Sequence, residues 1–145
     1  MSKVLAIDPG LSKCGVIIAD IKEKKVYEAV VIKSHLLIKF VKKKYQSEKN
    51  LQLLIGNGTS SKNYIKYLNK FEPNLIIVEE KNSTYRAKQR YFEIFPLKGI
   101  KSFLPREIFI FNKNLDALAA LIIMEDYFRI KFIVSEKLKT KTWLK

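Results

Sequence analysis

The sequence predicts an α/β protein in which a mixed sheet of five strands is layered with helices. Three observations carry this expectation. The first three apolar segments are short and joined by turns, as antiparallel strands are. After residue 34 the chain alternates between helical and extended periodicity, which calls for a sheet covered by helices. Apolar and aromatic residues make up 48% of 145, enough to bury a substantial core and to set aside disorder.

Val4 to Ile7 is a continuous apolar run, as in a strand buried on both faces, and Asp8-Pro9-Gly10 ends it in turn chemistry. Gly15 to Ala19 and Val26 to Ile32 read as two more strands around the charged turn Asp20 to Lys25. From Ser34, a suitable cap, the period becomes helical, with Leu37, Phe40, Val41 and Lys44 on one face. Leu51 to Ile55 is a fourth strand. It runs through Gly56-Asn57-Gly58-Thr59 into a helix with Tyr64, Ile65, Leu68 and Phe71 on one face. Pro73-Asn74 break that helix, and Leu75 to Val78 form the fifth strand, ending in Glu79-Glu80. Ser83 to about Phe95 reads as a basic helix. Pro96 to Asn114 is the least legible stretch, with Phe109 to Phe111 a candidate short strand. Asn114 is expected to cap a final helix that turns Leu115, Leu118, Ala119, Ile122 and Ile123 inward. From about residue 131 the tail is basic, and Lys139, Lys141 and Trp143 are either a further anchor or a frayed, solvated end. With no internal repeat and no linker rich in Gly, Ser or Pro, residues 1–145 are expected to form one domain.

Lys and Arg number 28 against 14 Asp and Glu, a formal net charge of +14. Such an excess suits a polyanionic partner, nucleic acid or an anionic membrane surface; lysine enrichment from codon bias or heat adaptation is the bland alternative. No apolar run approaches the roughly 20 residues that span a bilayer, and the N-terminus reads as a core strand rather than a signal peptide. Cys14 and His35 are each the only residue of their kind, which excludes disulfide scaffolds, zinc clusters and histidine triads within one chain. Metal chemistry would have to use oxygen ligands, hence magnesium or manganese. A reducing cytoplasm is the expected compartment.

Val4-Leu5-Ala6-Ile7-Asp8-Pro9-Gly10 followed by Gly15-Val16 resembles the opening of RuvC-type Holliday junction resolvases and of the YqgF-like family. Ile55-Gly56-Asn57-Gly58-Thr59-Ser60 resembles the matching stretch of the YqgF-like domain in the Tex transcription accessory proteins. Val78-Glu79-Glu80-Lys81-Asn82-Ser83-Thr84 is similar to the Asp-Glu-Arg segment of stand-alone YqgF proteins, and Asp116-Ala117-Leu118-Ala119-Ala120 to the closing motif of both groups. The resemblance spans about residues 4 to 128. It implies an RNase H-like fold, a mixed five-stranded sheet with helices on both faces, and a site for two Mg2+ or Mn2+ ions held by Asp8, a middle glutamate and Asp116. The RuvC pattern favours Glu79 as that glutamate and the YqgF pattern favours Glu80. The chain departs from RuvC-type enzymes in placing Lys113, not an acid or histidine, one helical turn before the last aspartate.

The chemistry gives these residues a reason. Phosphodiester hydrolysis needs an activated water and charge stabilisation on the attacking and leaving oxygens, and two cations held by converging carboxylates supply both. Asp8 directly after a buried run must be paired, solvated or metal-bound, or else it only opens the Asp-Pro-Gly turn. Side chains alternate along a strand, so one of Glu79 and Glu80 should face the metals; counted back from Ser83-Thr84, the resemblance to the YqgF-like pattern implies Glu80, by a narrow margin. Asp116 in the first turn of its helix also suits the helix dipole. Gly56, Asn57, Gly58 and Thr59 either cradle a phosphate at a helix start or merely make the turn. Lys81, Arg86, Lys88 and Arg90 form a basic cluster expected to touch the phosphates of structured DNA or RNA, while Glu125 and Asp126 read as ordinary surface charges. The expectation is a metal-dependent endonuclease, monomer or homodimer, acting in Holliday junction resolution or precursor ribosomal RNA trimming. The alternative is a non-catalytic nucleic-acid-binding domain of the same fold.

Overall fold

The computed structural model describes residues 2–48, 50–58, 60–80, 83–95, 112–135 and 141–143. Strands β1 (Lys3–Asp8), β2 (Lys13–Asp20) and β3 (Lys25–Lys33) are followed by a 3-10 turn at Ser34–Leu36 and helix α1 (Leu37–Ser47). Strand β4 (Gln52–Gly56), helix α2 (Ser61–Leu68), strand β5 (Ile76–Val78) and helices α3 (Ser83–Ile94) and α4 (Asn112–Phe128) come next, and β6 (Lys141–Trp143) is last. The strands form one mixed sheet in the order β5-β4-β1-β2-β3-β6. β1 pairs antiparallel with β2 and parallel with β4; β2 and β3 are antiparallel, while β4 and β5, and β3 and β6, are parallel. The five expected strands are therefore present in an α/β fold, and a sixth, drawn from the basic tail, is added at the edge. Lys141–Trp143 is not a frayed end, because its backbone pairs with Val30 to Ile32.

Each face of the sheet carries its own core, and the strands' period of two decides which residue joins which. Leu5 and Ile7 of β1, with Leu53 and Ile55 of β4, face Leu37, Phe40 and Val41 of α1 and Leu68 of α2. Val4 and Ala6, with Leu54, Ile17 and Val78, face the other way onto α4 and α3. Residues Ala117 to Met124 are all buried, because α4 lies between the sheet and α3. That explains its unbroken apolar run, where a surface helix would show a stripe. α4 begins at Asn112, two residues before the expected cap at Asn114. It ends where Arg129 adopts a left-handed φ of 54°, which turns the chain back and buries Phe132.

Ser34 does not cap a helix. Its hydroxyl donates to the Leu11 carbonyl at 2.7 Å, and its amide donates to the Ser12 carbonyl at 2.9 Å, so the loop after β1 is tied to the start of the α1 layer. Tyr64 of α2 donates its hydroxyl to the Gly10 carbonyl at 2.9 Å and fixes the same loop from another side. Among the described residues no helix is long and apolar enough to cross a membrane. The expected short strand at Phe109 to Phe111 lies outside the described residues, as do Thr59, Lys81 and Lys139.

Candidate active site

β5, β4 and β1 are adjacent and parallel, so their carboxyl ends meet on one rim of the sheet. Asp8 ends β1, Gly56 ends β4, and Glu80 follows β5 by two residues. Asp8 shares the parity of Val4 and Ala6, Gly56 that of Leu54, and Glu80 that of Ile76 and Val78. All three therefore belong to the α4 face of the rim. Glu79 has the opposite parity and is exposed. Of the two glutamates, Glu80 is the one turned toward Asp8.

Glycine makes this convergence possible at two points. A Cβ placed on Gly56 would stand 1.9 Å from Oε1 of Glu80, and one on Gly58 would stand 3.1 Å from Oε2. The Glu80 carboxylate thus lies over the end of β4, in space that any side chain at 56 would fill. On the other side of β1, Gly15 of β2 is paired with Asp8. A Cβ on Gly15 would stand 1.7 Å from the Asp116 carbonyl oxygen, so the first turns of α4 rest directly on the sheet beside Asp8. Gly15 and Gly56 bracket the aspartate and admit its two acidic neighbours.

The electrostatics are those of negative charge crowded in a poorly solvated place. Asp8 is half-buried, and its carboxyl is pushed up to about 8, first by burial and then by the charge of Glu80, a hydrogen bond with Glu80 and the charge of Asp116. Burial also raises Asp116, while Lys13 pulls it back down. Oε1 of Glu80 is buried with no hydrogen-bond partner. A carboxylate oxygen withdrawn from water and left unpaired is costly, and a cation or a shared proton would satisfy it. The donors available are all oxygens, the set that magnesium and manganese prefer. Among the described residues, no three His, Cys, Asp or Glu side chains are gathered tightly enough to cage an ion. The described core of the site is the Asp8–Glu80 pair with Asp116 near it.

The basic cluster is arranged differently from the expectation. Arg86 makes two 2.5 Å hydrogen bonds to the Asp126 carboxylate, and Arg90 binds Glu125 at 2.9 Å and the Phe132 carbonyl at 2.7 Å. The two arginines do face together, but they face α4. This corrects the expected patch at its two arginines: both guanidinium groups are paired with carboxylates of α4, and the Arg90 side chain is only 11% exposed. It also corrects the surface reading of Glu125, which is buried and further accepts the Phe132 amide at 3.0 Å. Lys88 is exposed. In the Gly56–Gly58 loop the Asn57 amide donates to the Val78 carbonyl at 2.7 Å and the Ser61 amide to the Gly58 carbonyl at 3.1 Å. Those two groups are used within the protein, and the glycines make room for Glu80.

Sequence reasoning overlooked Gly15 as part of the site, the room that Gly56 leaves for Glu80, and Lys13 as the cation acting on Asp116. The signal for the glycines was their parity, equal to that of the inward apolar residues of the same strands. Reading it required knowing on which face α4 lies. Compared with known proteins, the chain matches no family model, and no curated protein matches it significantly.

Proposed function

We propose that the chain is a metal-dependent endonuclease that hydrolyses phosphodiester bonds in structured nucleic acid, on an RNase H-like fold of the RuvC and YqgF-like class. The observation that carries this reading is the Glu80 carboxylate, held over Gly56 with one oxygen buried and unpaired, facing an Asp8 that burial and Glu80 together keep protonated to about pH 8. Such a pair is a poor structural element and a good cation site. Asp8 and Glu80, with Asp116 beside them, would hold Mg2+ or Mn2+, and the ions when bound would activate a water and stabilise the leaving oxygen. Asp8, on the central strand, has the most rigid support and sets the position. Glu80 closes the site from the loop after β5. Asp116 contributes from the start of a buried helix whose packing on Gly15 fixes its height above the sheet. Lys13 favours the ionised form of Asp116 and would be available to a substrate phosphate.

Asp8→Asn and Glu80→Gln are each expected to abolish cleavage of a four-way DNA junction or a folded RNA in Mn2+, with the fold kept. Glu79→Gln should cleave like the parent. Manganese affinity, read by calorimetry without nucleic acid, should fall in the first two variants and not in the third. Full activity in purified Asp8→Asn would overturn the assignment. Nucleic-acid binding with neither cleavage nor manganese binding in the parent would favour the non-catalytic binding domain.

A further inference from the structure

Among the described residues, a strongly positive face lies on the layer opposite α3. Residues 33 to 71 contain nine lysines, and Glu48 is their only carboxylate. Helices α1 and α2, which form the outer surface of that layer, contain no acidic residue at all. Lys44 is occupied by Glu28, whereas Lys39, Lys43 and Lys62 meet no carboxylate among the described residues.

Two concavities lie on this face and share Ile38. One, of about 550 Å3, is bordered by Gly10 and Leu11 of the loop after β1 and by Ser60 of the loop after β4, with His35, Tyr64 and Tyr67 on its walls. The other, of about 520 Å3, lies along α1 among Lys39, Lys42 and Lys43. The first therefore begins at the two loops that directly follow Asp8 and Gly56, on the α1–α2 side of the sheet. Its lip is apolar and exposed: Leu11 is 89% exposed and Tyr67 54%. Lys70 rests its ammonium 5.2 Å from the Tyr67 ring centroid, which adds positive charge at this end. A surface that joins a lysine-lined trough to an aromatic recess fits a single strand, with phosphates on the lysines and a base against the ring. A regular duplex, whose bases are stacked away, would leave the recess unused.

We propose that the α1–α2 face is the substrate-binding surface, and that it takes a branched or flapped nucleic acid by one unpaired strand. Phosphates lie over Lys39, Lys43 and Lys62, and one unstacked base sits between Leu11, His35 and Tyr67 next to the carboxylate rim. This rests on the nuclease reading for the position of the cut, but the binding itself does not require metal.

The test is fluorescence anisotropy with the full chain in EDTA, where nothing is cut, using a flapped DNA that carries 2-aminopurine in the unpaired strand. The triple variant Lys39→Glu, Lys43→Glu, Lys62→Glu should bind about a hundredfold more weakly at 50 mM salt and lose about three units of salt slope. The equal reversal Lys22→Glu, Lys24→Glu, Lys25→Glu, at the far turn between β2 and β3, should cost less than about tenfold. Tyr67→Ala should weaken the flapped DNA about tenfold, abolish the change in 2-aminopurine emission on binding, and leave a blunt duplex of the same length unaffected. Circular dichroism confirms that each variant is folded. Equal losses in the two triple variants, an emission change that survives Tyr67→Ala, or binding to anionic lipid vesicles without binding to DNA would each overturn the proposal. If Asp8→Asn remains fully active while these binding results hold, the metal-site reading fails and the surface stands.

Discussion

Gly56 and Gly15 make opposite demands on a substitution, because different atoms stand where their Cβ would go. At Gly56 the obstacle is the end of the Glu80 side chain, with Cδ1 of Ile123 at 2.7 Å. Both can swing aside. Gly56→Ala is expected to cost only about 1 kcal/mol of stability while displacing the carboxylate, so manganese affinity and cleavage should fall far more than the melting temperature. At Gly15 the obstacle is backbone, the Asp116 carbonyl, and helix α4 would have to move away from the sheet. Gly15→Ala should cost about 3 kcal/mol or more, visible in urea denaturation. Asp8 has its own signature. Its folded carboxyl lies near 8 against an ordinary 3.8, so without metal its proton stabilises the fold in full below pH 3.8, and that contribution is lost as pH rises to about 8. The urea midpoint of the metal-free protein should therefore fall between pH 5 and pH 8. Asp8→Asn should flatten this slope, and Mn2+ should raise the midpoint more at pH 8 than at pH 5, since the ion binds the ionised form.

The pairing of α3 with α4 shows how one element hides the chemistry of another. α3 looks like a basic, substrate-facing helix because its charged residues recur one turn apart. Its arginines instead hold it against α4 and the chain that leaves it, with Arg90 binding both Glu125 and the Phe132 carbonyl. Arg90 and Glu125 are nearly buried, at 11% and 9% side-chain exposure, so breaking the pair strands a charge. Arg90→Ala should cost about 3 kcal/mol, measured by chemical denaturation. The Arg86–Asp126 pair is more than a third exposed on one side, and Arg86→Ala should cost about 1 kcal/mol or less. Neither change should alter the salt dependence of nucleic-acid binding by more than a fraction of a unit.

Over the whole molecule, charge is divided between the two layers. Arg86 and Arg90 of α3 are held by acids of α4, whereas Lys39, Lys43 and Lys62 of the α1–α2 layer meet no carboxylate among the described residues. Among the described residues, lysines without a short-range carboxylate therefore gather on the α1–α2 layer, where a polyanion could lie. With about four phosphates engaged, affinity for DNA should fall roughly a hundredfold between 50 and 200 mM salt, as measured by anisotropy. Most of that sensitivity should vanish in the Lys39, Lys43, Lys62 triple variant.

How much of this was legible in the chain follows from the range of each interaction. The strands from Val4 to Val78, the apolar faces of α1 and α2, and the inward set Leu115 to Ile123 are local patterns of period two or 3.6, and they were readable because local sterics and burial impose them. The candidate residues Asp8, Glu80 and Asp116 were visible too, since a carboxylate at the end of an apolar run has few structural uses. The choice of Glu80 over Glu79 waited on the packing of α4, which decides which side of the sheet rim is the site. The engagement of Arg86 and Arg90 by Asp126 and Glu125 joins residues 35 and 40 positions apart, and no local pattern records it. β6 is likewise long-range, a basic tail that becomes a strand only because the edge of β3 offers backbone partners. Composition determined that the molecule is strongly positive. Only the tertiary structure decided which of those charges are neutralised at short range by carboxylates of the same chain and which remain for a partner.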